Sequence, residues 1–92
     1  MNYADIVTEL EELARQLNVN IRYEKGDFEG GYCILKEQKV VVINKRLLES
    51  RKASTLAVAL ADYGIETKFI KPKLRAFIED EVAKLHKTEK MQ

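Results

Sequence analysis

The stretch VVVINKRLLESRKASTLAVALAD, residues 40–62, joins an apolar strand to a buried helix and decides the fold. Its opening run of valines and isoleucine is β-branched, which is typical of a strand packed in a core. Leu56 to Ala61 is apolar on every side, which indicates a helix segment enclosed by other elements. Gly64 suits the C-terminal end of that helix. We predict a strand over 40–44 and a helix over about 49–63.

A second apolar run, YCILK at residues 32–36, precedes this strand, and the polar residues 37–39 separate the two. A short polar link between two apolar runs is typical of a β-hairpin. Both runs are apolar without alternation, whereas a sheet with one face in water usually alternates apolar and polar residues. We therefore expect both faces of the sheet to be covered, by helices or by a partner subunit.

The N-terminal part of the chain predicts a helix followed by one more strand. Apolar residues recur there at steps of three and four, which places them on one stripe of a helix from about Tyr3 to Leu17. Asn2 is suited to cap the start of this helix. Residues 20–24 alternate between apolar and charged side chains, as a half-buried strand does, and the glycine-rich residues 25–31 predict a turn.

The C-terminal part predicts a third helix that begins at Pro72 and ends near His86, because apolar residues again recur with helical spacing. We expect a short extended piece over 67–70 and a frayed tail over 87–92. The order α-β-β-β-α-α predicts an α+β fold, in which three helices pack on a small, three-stranded, mainly antiparallel sheet. The whole chain, residues 1–92, is expected to form a single domain.

Composition favours an ordinary cytoplasmic protein. The chain carries 16 basic and 15 acidic residues, a net charge of +1, so there is no global attraction to nucleic acid or to anionic lipid. Its single cysteine, Cys33, cannot form an internal disulfide, and we expect it to pack as a small hydrophobe. No apolar run approaches the ~20 residues that span a bilayer. We predict a cytoplasmic location, no membrane contact and no cofactor.

Residues 43–62, INKRLLESRKASTLAVALAD, resemble the core of the small zinc-metallopeptidase-like family related to phage immunity anti-repressor proteases. That family shows a strand ending in Ile-Asn, a leucine three residues on, a helix with an arginine in its first turn, and then Leu-Ala-His-Glu-Leu-x-His. Here Asn44 ends the strand, and Leu47 and Arg51 follow at the matching positions. The resemblance implies a zincin-like fold. Ordinary packing of a Leu- and Ala-rich helix is the other explanation of the same pattern.

The same frame lacks every side chain that the family's zinc site requires. The two histidines of the motif hold the metal from one helix face, and their positions here are Val58 and Asp62. The glutamate that would act as general base corresponds to Ala59. The only histidine, His86, lies far downstream, where a helix end favours positive charge. We therefore expect no metal ligand, no catalytic residue and no protease activity.

Two basic clusters suggest a different function. They lie around the predicted starts of the second and third helices and consist of Lys45, Arg46, Arg51 and Lys52, and of Lys68, Lys71, Lys73 and Arg75. If the two helix starts lie side by side, the clusters form an anion-attracting surface that suits a small nucleic-acid-binding module. An ordinary solvated surface is the other explanation. A salt-titrated binding assay with DNA and RNA tests this alternative.

The patterns together favour a non-catalytic protein-binding or regulatory domain, which would act on a protein partner or on a second copy of itself. This hypothesis depends on the loss of every motif ligand within an otherwise matching frame. Stoichiometric zinc in the purified protein would contradict it.

Overall fold

The computed structural model describes residues 2–26, 31–65 and 70–90, with side chains as far as Leu85. Its helices and strands are α1 (Tyr3–Gln16), β1 (Asn20–Glu24), β2 (Tyr32–Leu35), β3 (Val40–Asn44), α2 (Glu49–Ala61) and α3 (Pro72–Lys90). The predicted order α-β-β-β-α-α and the α+β class are confirmed. Helix α3 continues beyond the predicted end near His86, because the lysines and glutamate that follow favour helix. Most of the extended piece predicted over 67–70 lies outside the described residues.

Hydrogen bonds close both ends of α1, one to the side chain of the predicted cap and one within the backbone. The Asp5 N–H donates to the side-chain oxygen of the predicted cap, Asn2, at 2.8 Å. At the other end Asn18 takes a left-handed conformation, with φ of 59°, and the Val19 N–H donates to the Ala14 carbonyl at 2.8 Å. The chain therefore leaves the helix sharply and enters β1 at Asn20.

The sheet is mixed, with the strand order β1-β3-β2. Strands β2 and β3 form the expected antiparallel hairpin, joined by a short 3-10 turn over Lys36–Gln38. Strand β1 lies on the other side of β3 and runs parallel to it, so the sheet, predicted as mainly antiparallel, contains one antiparallel and one parallel pairing. The reason is geometric: the chain reverses direction at each link, so the first and third strands point the same way once they become neighbours.

One face of the sheet packs against the helices. Val41 and Ile43 are fully buried on this face, and the strand register places Ile21, Tyr23, Tyr32 and Ile34 beside them. On the opposite face Cys33 is exposed, and Leu35 keeps 40% of its surface accessible. The described helices therefore do not cover this second face, and its cover by a partner subunit stays a prediction. All three described helices pack on the same side, because each buries its apolar stripe against a common core.

The helices form one layer above the sheet. Helix α2 packs against both α1 and α3, and the hydroxyl of Ser54 on α2 donates to the carboxylate of Glu81 on α3. The apolar stripe predicted for α3 is buried at Leu74 and Ile78 but becomes exposed at Leu85. None of the described helices is long and apolar enough to cross a membrane.

Candidate functional site

The degenerate motif positions lie on α2 or at its end. Val58 and Asp62 are about one helical turn apart, so they share a face, and both line the same cavity of about 420 Å³. Ala59 is fully buried and belongs to the hydrophobic core. Helix α2 thus presents two of the three motif positions to an open cleft and one to the interior.

This cleft lies between the edge strand β2 and helices α2 and α3. It is lined by Tyr32, Ile34, Val58, Ala61, Asp62, Val82 and Leu85. Apart from Asp62 and the tyrosine hydroxyl, these side chains are apolar. A second hollow of about 370 Å³ shares Ala61 and Val82 with the first and continues between α2 and α3 toward Ile65 and Ile78. The second hollow is also lined by the charged Arg75 and Glu79, so we give the name β2 cleft to the first, mainly apolar hollow alone.

The polar end of the β2 cleft is a surface ion pair. The ammonium of Lys36 lies 3.2 Å from the carboxylate of Asp62, and both side chains are more than half exposed. The hydroxyl of Tyr63 donates to the backbone carbonyl of Lys36 at 3.4 Å. These contacts join the end of β2 to the end of α2. Because both charges are open to water, the ion pair contributes little to stability.

The side chains of the β2 cleft do not fit a zinc ion. Val58 and Ala59 have no donor atom, and the carboxylate of Asp62 is paired with an ammonium group that would repel a cation. Within residues 2–26, 31–65 and 70–85, no three His, Cys, Asp or Glu side chains converge as a metal site would require. The side chain of His86 lies outside the described part of the chain.

The two predicted basic clusters lie at different places along α1. The start of α2, with Lys52, borders a hollow that includes Ala4 and Val7 from the first half of α1. The start of α3, with Lys71, borders a hollow that includes Leu13 and residues of the second half of α1. The two hollows share no lining residue, so each helix start borders a different set of α1 residues. Nucleic-acid binding stays a prediction.

The individual members of the clusters differ in their surroundings. Lys71 pairs with Glu9 at 2.5 Å, and Lys52, whose side chain is only 16% exposed, pairs with Glu49 at 3.4 Å. The guanidinium of Arg75 donates to the Ile65 carbonyl at 3.4 Å. The remaining described members are exposed: Lys45, Arg46, Arg51 and Lys73. Lys68 lies outside the described residues.

A polar cluster at the β1 edge was not predicted. The hydroxyl of Tyr23 donates to the carboxylate of Glu11 at 2.5 Å, and the ammonium of Lys52 lies 5.4 Å from the centre of the same ring. Burial, and then the contact with Glu11, raises the pKa of the Tyr23 hydroxyl well above its ordinary range. Only the inward-facing position of Tyr23 in the alternating strand could have indicated this cluster, because its partners come from two separate helices.

Cys33 differs from its predicted role. It was expected to pack as a small hydrophobe, but it is exposed on the face of the sheet that the described helices leave uncovered. The register places it beside Val42 of β3.

Comparisons with known proteins give no relative for this arrangement: no protein-family model, no curated protein and no solved structure matches the chain. The likeness of residues 43–62 to a metallopeptidase-like core therefore stays a prediction. The β2 cleft has to be interpreted from its own side chains.

Proposed function

We propose that this chain is a non-catalytic protein-binding or regulatory domain whose binding site is the β2 cleft. One observation carries the proposal. Val58 and Asp62, the positions at which the resemblance implies metal ligands, line an open apolar cleft. Their one polar group is the Asp62 carboxylate, which already pairs with Lys36. A surface of this kind suits contacts with apolar side chains of another protein.

The free edge of β2 supports an extended segment as the bound form. Within the described residues, β2 is hydrogen-bonded to one strand only, β3. Alternate backbone N–H and C=O groups of an edge strand point away from its neighbour and can pair with an added strand. Such a strand would direct every second side chain into the β2 cleft, beside Tyr32 and Ile34.

The chemistry of the cleft supports binding rather than catalysis. Its charged groups are Asp62 and the adjacent Lys36, and both are largely exposed to water. General acid–base catalysis needs a titratable group held within hydrogen-bond reach of the reacting atoms, usually inside a site that excludes water. An exposed ion pair at the end of an apolar groove suits a partner whose apolar segment is followed by a polar group.

Two measurements on the purified protein test the absence of catalysis. Metal analysis is expected to show zinc well below one ion per chain, and incubation with unfolded protein substrates is expected to leave them intact. Stoichiometric zinc, or hydrolysis that Asp62→Asn abolishes, would contradict the proposal.

A peptide-display selection tests the binding site itself. We expect apolar side chains at every second position of the enriched peptides. Leu85→Asp should weaken their binding about tenfold or more, because it puts a charge into an apolar contact. Leu48→Asp is the matched control, since Leu48 is 73% exposed and lies outside the cleft. Peptides that bind both variants equally well would place binding elsewhere.

A further inference from the structure

The two edges of the sheet differ in how they are protected from pairing with another strand. Natural edge strands usually carry charges, proline or a bulge, which prevent such pairing. On β1, Arg22 and Glu24 form an ion pair of 2.6 Å. Strand β2, Tyr32–Leu35, contains no charged residue and no proline. The sequence of β2 therefore leaves its edge open to a partner strand.

Two exposed apolar side chains lie at this edge, one on each face of the sheet. Among the described residues, the large apolar side chains with high exposure are Tyr3, Leu35, Leu48 and Leu85. Leu35 belongs to β2, on the uncovered face of the sheet, and Leu85 lines the β2 cleft on the helix face. Apolar surface thus flanks the same edge on both faces, with exposures of 40% and 39%. A partner that adds a strand here would cover both side chains at once.

We propose that the partner is a second copy of this chain, paired β2 to β2 in antiparallel orientation; the inference rests on the proposed binding role of the β2 cleft. Two identical antiparallel strands are related by a two-fold axis, so one edge is complementary to itself. The pairing joins two three-stranded sheets into one of six strands. It also brings the apolar clefts of the two copies together, beside Tyr32, Ile34 and Leu85 of each.

The alternation of side chains fixes the register. Directly opposite residues in an antiparallel pair lie on the same face, so the axis passes through a residue rather than between two. A register centred on Cys33 places Tyr32 opposite Ile34 of the second copy on the helix face, a favourable aromatic–β-branched pair. A register centred on Ile34 would instead place Tyr32 opposite Lys36, which already contacts Asp62.

Sedimentation across a range of protein concentrations tests the pairing. We expect a reversible dimer in the wild-type chain and a dissociation constant at least about tenfold higher in Leu35→Lys, since the pairing buries this residue once in each copy. Leu48→Lys is the matched control and is expected to change the constant by less than about twofold. A chain that is monomeric up to about 1 mM, or a dimer equally stable in both variants, overturns the inference.

Cross-linking of Cys33 tests the register in the unmodified chain. Opposite Cα atoms lie ~4.5–5.5 Å apart, within the span of a disulfide. Copper–phenanthroline, which removes two electrons as the two thiols lose their protons, is expected to give a covalent dimer that Cys33→Ser abolishes. A non-covalent dimer that forms no disulfide overturns the pairing centred on Cys33.

These outcomes separate the second copy from the broader binding role. If the chain is monomeric but its peptide binding is lost in Leu85→Asp, self-pairing is overturned and the β2 cleft remains a binding site. A monomeric chain without any such peptide would overturn both.

Discussion

The two edges of the sheet meet the helices in opposite ways. At the β1 edge, Tyr23 bonds to Glu11 on α1 and lies under Lys52 of α2. Polar contacts therefore bridge this strand to two helices, and we call this edge closed. At the β2 edge, Tyr32 faces an apolar cleft that the described helices leave open. The two tyrosines occupy similar inward positions on their strands, and only their neighbours differ. The closed edge contributes contacts to the fold, whereas the open apolar edge is the surface that we propose as a binding site.

Leu56→Ala should have the largest effect on the free energy of unfolding, because it weakens the helix that both edges share. Leu56 is fully buried in the middle of α2, the helix that borders both edges. Removing most of its side chain leaves a cavity, and we expect the free energy of unfolding to fall by about 2–5 kcal/mol. Denaturant unfolding measures the loss. A change below about 1 kcal/mol would show that Leu56 is not part of a packed core.

Tyr23→Phe and Tyr32→Phe compare the two edges directly. The first removes a hydrogen bond to a carboxylate, and we expect a loss of about 1.5 kcal/mol, the lower end for bonds to charged groups. The second removes a hydroxyl that has no hydrogen-bond partner among the described residues, so we expect less than about 0.5 kcal/mol. Equal losses in denaturant unfolding would remove the distinction between the edges.

Alkaline pH should weaken the closed edge. Folding raises the pKa of Tyr23, so the folded chain holds this proton where the unfolded chain releases it. The stabilising contribution is complete below about pH 10 and is lost as the pH rises toward the pKa of the folded state. The free energy of unfolding should therefore fall with pH above about 10, by at most ~1.4 kcal/mol per unit from this group. Tyr23→Phe should flatten that dependence, and an unchanged slope would exclude Tyr23 as its source.

The ion pair at the open edge should have the smallest effect. Lys36 and Asp62 are both more than half exposed, so a double-mutant cycle with Lys36→Ala and Asp62→Ala should give a coupling of about 0.2–1 kcal/mol. We expect the coupling to shrink as salt is added, because exposed charges are screened. A coupling above about 2 kcal/mol would show that this pair closes the edge as firmly as Tyr23 closes the other.

The candidate site was predictable in its side chains but not in its shape. The sequence shows that Val58 and Ala59 cannot bind a metal, because their side chains carry no donor atom. It does not show that Val58 faces a cleft while Ala59 faces the core. That difference depends on where β2 and α3 lie around α2. The polar cluster around Tyr23 escaped prediction for the same reason, since Glu11 and Lys52 are remote from it in sequence.

The sequence by itself determined the order of helices and strands, because apolar spacing and capping residues act within a few positions of each other along the chain. Tertiary structure alone decided that β1 lies parallel beside β3, that all described helices share one face of the sheet, and that Cys33 and Leu35 remain accessible. The spacing of apolar residues along the sequence indicates which side chains are buried. It does not report which neighbours exclude the water, because strand pairing and helix packing are contacts between distant parts of the chain.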